Sequence, residues 1–204
     1  MLFDDYYHTI DQTSEGLFKE KGSKFIAYAY PLTSEAEVKL LIAKLRAEHT
    51  KARHFCWAFR ISPDRSVFRL NDDGEPSGTA GRPILNTLLS TDLTNILVVV
   101  VRYFGGTLLG VPGLINAYKM ATQDALNNAT RIKKTINDVY KVSFPYLLMN
   151  DVMKIVKEDH IEIKSQNFDE HCEIHIEIRK TKLNQILSKF DNLDGIKTQY
   201  TATV

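Results

Sequence analysis

Residues 71–83, NDDGEPSGTAGRP, bring together three acids, three glycines, two prolines, a serine, a threonine and an arginine. Neither a strand nor a helix favours that mixture, because glycine and proline break regular backbone and adjacent acids repel one another. Two chemistries compete for it. The backbone N–H groups of Ser77, Gly78, Thr79, Ala80 and Gly81, just ahead of a helix start at Pro83, would form a concavity for an anion. The helix dipole adds positive potential and Arg82 a ready charge. Asp72, Asp73 and Glu75 would repel a phosphate, but they could offer oxygens to Mg²⁺. The alternative is a connector in which NDDG is a turn and Asx side chains cap backbone groups.

A second glycine loop, GGTLLGVPG (105–113), also precedes a helix. It is not a phosphate loop of the Walker type, since Val111 and Pro112 stand where lysine and serine or threonine are needed. Arg102 just upstream and Lys119 about two turns into the helix make it a general anion site, unless it is simply a tight strand-to-helix connection. His54 and Cys56 share one strand face, where neighbouring side chains diverge and do not form a nucleophile pair. In HCEIH (171–175) the histidines point one way with Glu173 and Glu177 and Cys172 points the other, a poor zinc set. No Ser–His–Asp order, CxxC pair or GxGxxG is present.

The elements that position these residues read as follows. Residues 16–32 form two strands around Lys21–Gly22 with a lysine-rich tip of Lys19, Lys21 and Lys24. Residues 33–49 form an amphipathic helix with a Ser34–Glu37 capping box. HFCWAFRI (54–61) alternates as a strand and VFRL (67–70) returns from it. Residues 95–104 are apolar on both faces and predict a central, doubly covered strand, followed by a helix from Leu114 that buries Ala117, Tyr118, Ala121 and Ala125. Composition shifts at residues 130–140. Beyond it a strand–helix–strand–strand–helix–strand order predicts a ferredoxin-like domain. The fold class is therefore α+β in two domains, 1–135 and 136–204.

Residues 1–135 carry 17 Lys and Arg against 14 Asp and Glu, and residues 136–204 carry 9 against 11, so neither half has the basic excess that announces nucleic-acid binding by charge alone. Any RNA contact must come from a local patch. Two distant cysteines make no disulfide framework and point to a reducing compartment. Residues 1–12 lack the pattern of a signal peptide, and the longest apolar run, 96–101, is far short of a bilayer span. A soluble, cytoplasmic protein without a membrane partner is expected.

Taken together, NDDGEPSGTAGRPIL, then VVVVRYFGGTLLG and GLINAY, with KGSKFIAYAYPL and ARHFCWAFRI upstream, resemble the IMPACT/YigZ family over nearly the whole chain. Asp72, Asp73, Gly74, Glu75, Gly78, Thr79, Gly81, Arg82, Arg102, Tyr103, Gly105 and Gly106 match its pattern. Pro112 stands where the family usually has glycine, Asn116 where it has arginine, and Arg53 and Phe55 replace smaller polar residues.

The resemblance implies an N-terminal domain shaped like the second domain of a small-subunit ribosomal protein and a C-terminal domain like the end of elongation factor G. It also implies that both glycine loops lie at one end of the sheet. Eukaryotic members carry an extra N-terminal domain and modulate translation initiation. This chain, whose family core begins near residue 16, looks like a bacterial-type member, a group for which nucleic-acid or ribosome binding has been proposed.

The reading that follows is a non-enzymatic, translation-linked regulator that binds RNA or the ribosome, without a cofactor. Its phosphate-binding residues would be Ser77, Gly78, Thr79, Gly81, Arg82, Arg102, Gly105, Gly106 and Lys119, with Tyr103 stacking on a base. Asp72, Asp73 and Glu75 either hold Mg²⁺ or brace the loop through the arginines. The rivals are a Mg²⁺-dependent enzyme on a phosphorylated or nucleotide small molecule, and an adaptor that binds a protein partner.

Overall fold

The structure, a computed structural model, describes residues 5–169 and 171–204; residues 1–4, part of the stretch read for a signal peptide, lie outside them. The chain divides into a larger unit, Tyr7–Lys134, and a smaller one that joins Asp5 and Tyr6 to Thr135–Val204. Asp5 falls with the C-terminal residues, and not in a domain running from residue 1 to 135. Its carbonyl accepts the Ile136 N–H at 2.7 Å, and its carboxylate takes Arg179 Nε at 2.5 Å and the Thr181 hydroxyl at 3.0 Å.

In the larger unit β1 (Tyr6–Ile10) precedes a hairpin of β2 (Ser14–Glu20) and β3 (Ser23–Pro31). The hairpin turns at Lys21 and Gly22, both with positive φ, as a two-residue turn matched to strand twist requires. α1 (Ala36–Glu48) follows, its entry held by Glu37 Oε1 accepting the Ser34 N–H at 3.1 Å. Then come β4 (His54–Ile61), β5 (Val67–Asn71), α2 (Gly81–Ser90), β6 (Ile96–Tyr103), α3 (Gly110–Asn127) and β7 (Arg131–Thr135). The main sheet runs β2-β3-β6-β4-β5, wholly antiparallel, while β1 pairs with β7 in a separate ribbon.

Uniform apolarity in β6 reflects its central place. Ile96, Val98 and Val100 pack with Phe25, Ala27, Cys56 and Ala58 under α2 and α3, whereas Leu97, Val99 and Val101 pack with Phe55 and Phe59 under Val38 and Leu45 of α1. The expected stripe of α3, Leu114, Ala117, Tyr118, Ala121 and Ala125, is buried. The helix nevertheless starts four residues earlier than Leu114. Gly110, Val111 and Pro112 form its first turn, where a missing N–H costs nothing.

The smaller unit holds β8 (Asn137–Phe144), α4 (Met149–Glu158), β9 (Glu162–Phe168), β10 (Cys172–Arg179), α5 (Leu183–Asp191) and β11 (Lys197–Thr203), with strand order β11-β8-β10-β9. Alternation in β10 buries Cys172, Ile174, Ile176 and Ile178 beside Val152, Val156, Ile186 and Phe190. Among the described residues no helix is long and apolar enough to cross a membrane.

Candidate functional site

The 71–81 loop is built around its acids. Glu75 N–H donates to the Asp72 carbonyl at 2.9 Å across Asp73 and Gly74, whose φ values of 41° and 85° make a left-handed pair. Glycine suits the second of these positions because a side chain is strained there. Asn71 Oδ1 accepts the Asp73 N–H at 2.7 Å, an Asx turn. The Asp72 carboxylate then accepts three backbone N–H groups, from Gly78 at 2.9 Å, Ala80 at 3.0 Å and Gly81 at 2.8 Å. It therefore occupies, as an internal anion, the N-terminus of α2 that the sequence offers to a phosphate.

This corrects the assignment of Gly78 and Gly81 as phosphate donors: their N–H groups are taken. Thr79 is buried with its hydroxyl on the Pro76 carbonyl at 2.6 Å, and Ser77 is exposed. Asp72→Ala is expected to cost about 2 kcal/mol, the upper end for losing a helix cap. Denaturation followed at Trp57, the single tryptophan of the chain, measures it.

The three acids serve three separate networks and do not converge on one point. Asp73 grips Arg46 Nη2 with both oxygens, at 2.7 and 2.8 Å, and accepts the Phe55 N–H at 2.7 Å; its carbonyl lies 2.9 Å from His54 Nδ1. Glu75 Oε1 takes Arg102 Nη1 at 2.6 Å and the Tyr118 hydroxyl at 2.8 Å, with both charged side chains buried. Arg102 is thus corrected from a surface phosphate contact to an internal strut. Its guanidinium lies between the Phe25 and Phe104 rings, 5.4 and 5.6 Å from their centroids, and joins the first loop to the end of β6.

The Cys56 thiol completes this network, 3.0 Å from the Asp72 carbonyl and 3.2 Å from the Tyr118 hydroxyl. Burial pushes that thiol, and likewise the Tyr118 phenol, well above their ordinary ranges, which favours the neutral thiol and phenol. His54 turns to the Asp73 carbonyl and makes no pair with Cys56.

Tyr103 stands apart from the groove cations Arg82 and Lys119. It lies on the sheet face opposite α2 and α3, half-buried, with its hydroxyl 2.8 Å from His49 Nδ1. Gly105 packs its backbone against the Gly22–Ser23 turn, and its N–H donates to Ser23 Oγ at 3.1 Å. Gly106 remains exposed. Both glycine loops do reach the same end of the sheet, but what joins them is the buried Glu75–Arg102 pair.

What stays open is a groove of about 510 Å³ between α2 and α3. Arg82 and Lys119, the two exposed cations foreseen from the sequence, line it together with Asn86, Thr87, Ser90 and Gln123. Among the described residues no carboxylate lines it, and none makes an ion pair with either cation. The four polar residues escaped sequence reading because they fall at helical spacing on two helices that only packing brings face to face. Arg46 and Tyr118, partners of the acids, escaped for the same reason. In the smaller unit Cys172 is buried while Glu173 and His175 lie on the other sheet face. Among the described residues no group of three or more His, Cys, Asp or Glu is placed to hold a metal ion.

Comparison with known proteins agrees with this layout. A family model, the Impact N-terminal domain, matches residues 21–126. An IMPACT family member from Haemophilus influenzae is 34% identical over 171 residues, covering 83% of each chain. The IMPACT family member YvyE from Bacillus subtilis is 30% identical over 178 residues, 87% of this chain and 82% of that one. A yeast IMPACT homolog is 33% identical over 101 residues but is covered over only 39% of its length. A crystal structure described as a hypothetical protein superposes with a TM-score of 0.77 at 26% identity, over 97% of this chain and 98% of that one. On the family model and on relatives matched over most of their length, the chain belongs to the IMPACT family.

Proposed function

We propose that this protein is a non-enzymatic, translation-linked regulator that binds RNA or the ribosome through the groove between α2 and α3. The supporting observation is the pair of cations, Arg82 and Lys119, on a groove to which no described residue brings a carboxylate. Its amide side chains, Asn86 and Gln123, suit phosphate oxygens and sugar hydroxyls, whereas the Thr87 and Ser90 hydroxyls donate to carbonyls of α2. Family membership adds the link to translation, which the resemblance attributes to eukaryotic members. On this reading the larger unit is the ribosomal-protein-like domain and the smaller a ferredoxin-like one, in keeping with the β11-β8-β10-β9 order. No metal is part of the proposal, since each loop carboxylate is already bonded to protein donors.

Co-sedimentation with ribosomal subunits across a salt series tests it. Binding is expected to weaken as salt rises, and Arg82→Ala/Lys119→Ala is expected to lower the slope of log K against log salt by about 1.8, two contacts at ~0.9 each on duplex RNA treated like B-DNA. An unchanged slope and affinity in the double variant would remove the groove from the binding surface. Absence of binding at low salt by the folded protein would end the reading.

A further inference from the structure

The strongest unexplained feature lies on the opposite face of the main sheet, at the hairpin end. Register places Lys19 of β2 directly opposite Lys24 of β3, and Lys24 directly opposite Tyr103 of β6. These side chains form one row across adjacent strands, about 4.8 Å apart per step. Both lysines are exposed and, among the described residues, neither makes an ion pair with a carboxylate, nor does Lys21 at the turn beside them. Like charges directly opposite each other in a sheet are unfavourable.

Protection of a free strand edge does not account for the arrangement. Lys24 lies on an inner strand. The outer edge of β2 is already covered by α3 and its C-cap: Asp124 accepts the Leu17 N–H at 2.8 Å, and Asn128, just past the helix, donates to the Glu15 carbonyl at 2.8 Å.

Beside the lysines runs a ladder of rings. Tyr30 and Tyr28 stack at 6.3 Å, Tyr28 meets His49 at 5.6 Å and His49 meets Tyr103 at 5.9 Å, with the three tyrosines half-buried. The His49 hydrogen bond fixes the Tyr103 ring. Unpaired cations next to held aromatic faces match a ligand whose charges and flat rings alternate. Glu15 opposite Tyr28, with Glu48 near it, sets a negative limit to such a ligand along the face, and Glu15 and Asp124 line one pocket with Lys24.

We propose that this end of the sheet face binds single-stranded RNA, with phosphates on Lys19, Lys24 and Lys21 and one base stacked on Tyr103. The inference rests on the nucleic-acid reading above but uses a separate face, so the two are separable.

Fluorescence anisotropy with a short labelled single-stranded RNA, across a salt series, measures it alongside subunit co-sedimentation. Lys19→Ala/Lys24→Ala is expected to weaken single-strand binding and to lower the salt slope by about 1.4, two phosphates at ~0.7 each. Tyr103→Leu is expected to weaken it about tenfold without moving the slope, while Tyr103→Phe, which keeps the ring, binds as the native protein does. Leu108→Ala, at an exposed position that belongs to neither surface, leaves it unchanged. Native-like binding by the double-lysine variant, or loss in the Arg82/Lys119 variant alone, overturns the inference. Subunit binding with no single-strand binding overturns it and leaves the groove reading standing; absence of both overturns both.

Discussion

Arg102→Leu is expected to destabilise the larger unit by about 3–5 kcal/mol, and Glu75→Leu by a similar amount, because each leaves the other charge buried and unpaired. The two side chains are 6% and 3% exposed, so water cannot take over from the missing partner. Among the described residues, Glu75 without Arg102 keeps the Tyr118 hydroxyl, and Arg102 without Glu75 keeps the Phe25 and Phe104 ring faces. Replacing both at once removes the stranded charge, so the double variant is expected to lose much less than the sum of the singles. Denaturant midpoints read at Trp57, which lies in the larger unit, give the three differences needed for a double-mutant cycle. Additive losses would mean that the pair does not couple the first loop to β6. The groove reading would survive that result, since the Glu75 bonds run to Arg102 and Tyr118 and not to Arg82 or Lys119.

Arg102 also shows where sequence reasoning stops. An arginine closing an apolar strand beside a glycine loop reads as a surface cation. Its burial depends on Glu75, 27 residues away, which local pattern does not connect to it. Asp72 is a similar case: an acid among glycines reads as a metal ligand or a turn former. Only the folded loop shows its carboxylate capping N–H groups six to nine residues later.

Elements governed by short-range physics were legible. The Lys21–Gly22 turn, β6 with both faces covered and the α3 stripe follow from turn chemistry and periodicity. The β1–β7 ribbon was not, because β7 reads RIKKT with four of its five residues exposed and shows no alternation. The first turn of α3 was missed because glycine and proline signal a break except at a helix start, where Pro112 is tolerated.

Gly105→Ala is the second substitution expected to have a large effect, through crowding and not charge. A Cβ at this position would fall 1.9 Å from the Gly22 carbonyl carbon and 2.2 Å from the Ser23 nitrogen, both backbone atoms of the hairpin turn. A flexible side chain could swing aside, but backbone held by the β2–β3 and β3–β6 ladders cannot. The loop after β6 must therefore lift off the turn, losing the Gly105 N–H bond to Ser23 Oγ. Overpacking against rigid structure costs about 1–3 kcal/mol, and the upper end is expected with no flexible partner available. Leu108→Ala, three residues on at an 83% exposed position, is the matched control and should be near neutral. The same displacement shifts Lys24 relative to Tyr103, since Gly105 follows Tyr103 by two residues and its contact is the turn that carries Lys21. If the lysine–tyrosine row binds single-stranded RNA, Gly105→Ala weakens that binding at temperatures where the protein is still folded, while subunit binding through the groove is spared. A stability loss without any change in single-strand affinity would show that the glycine serves the fold alone.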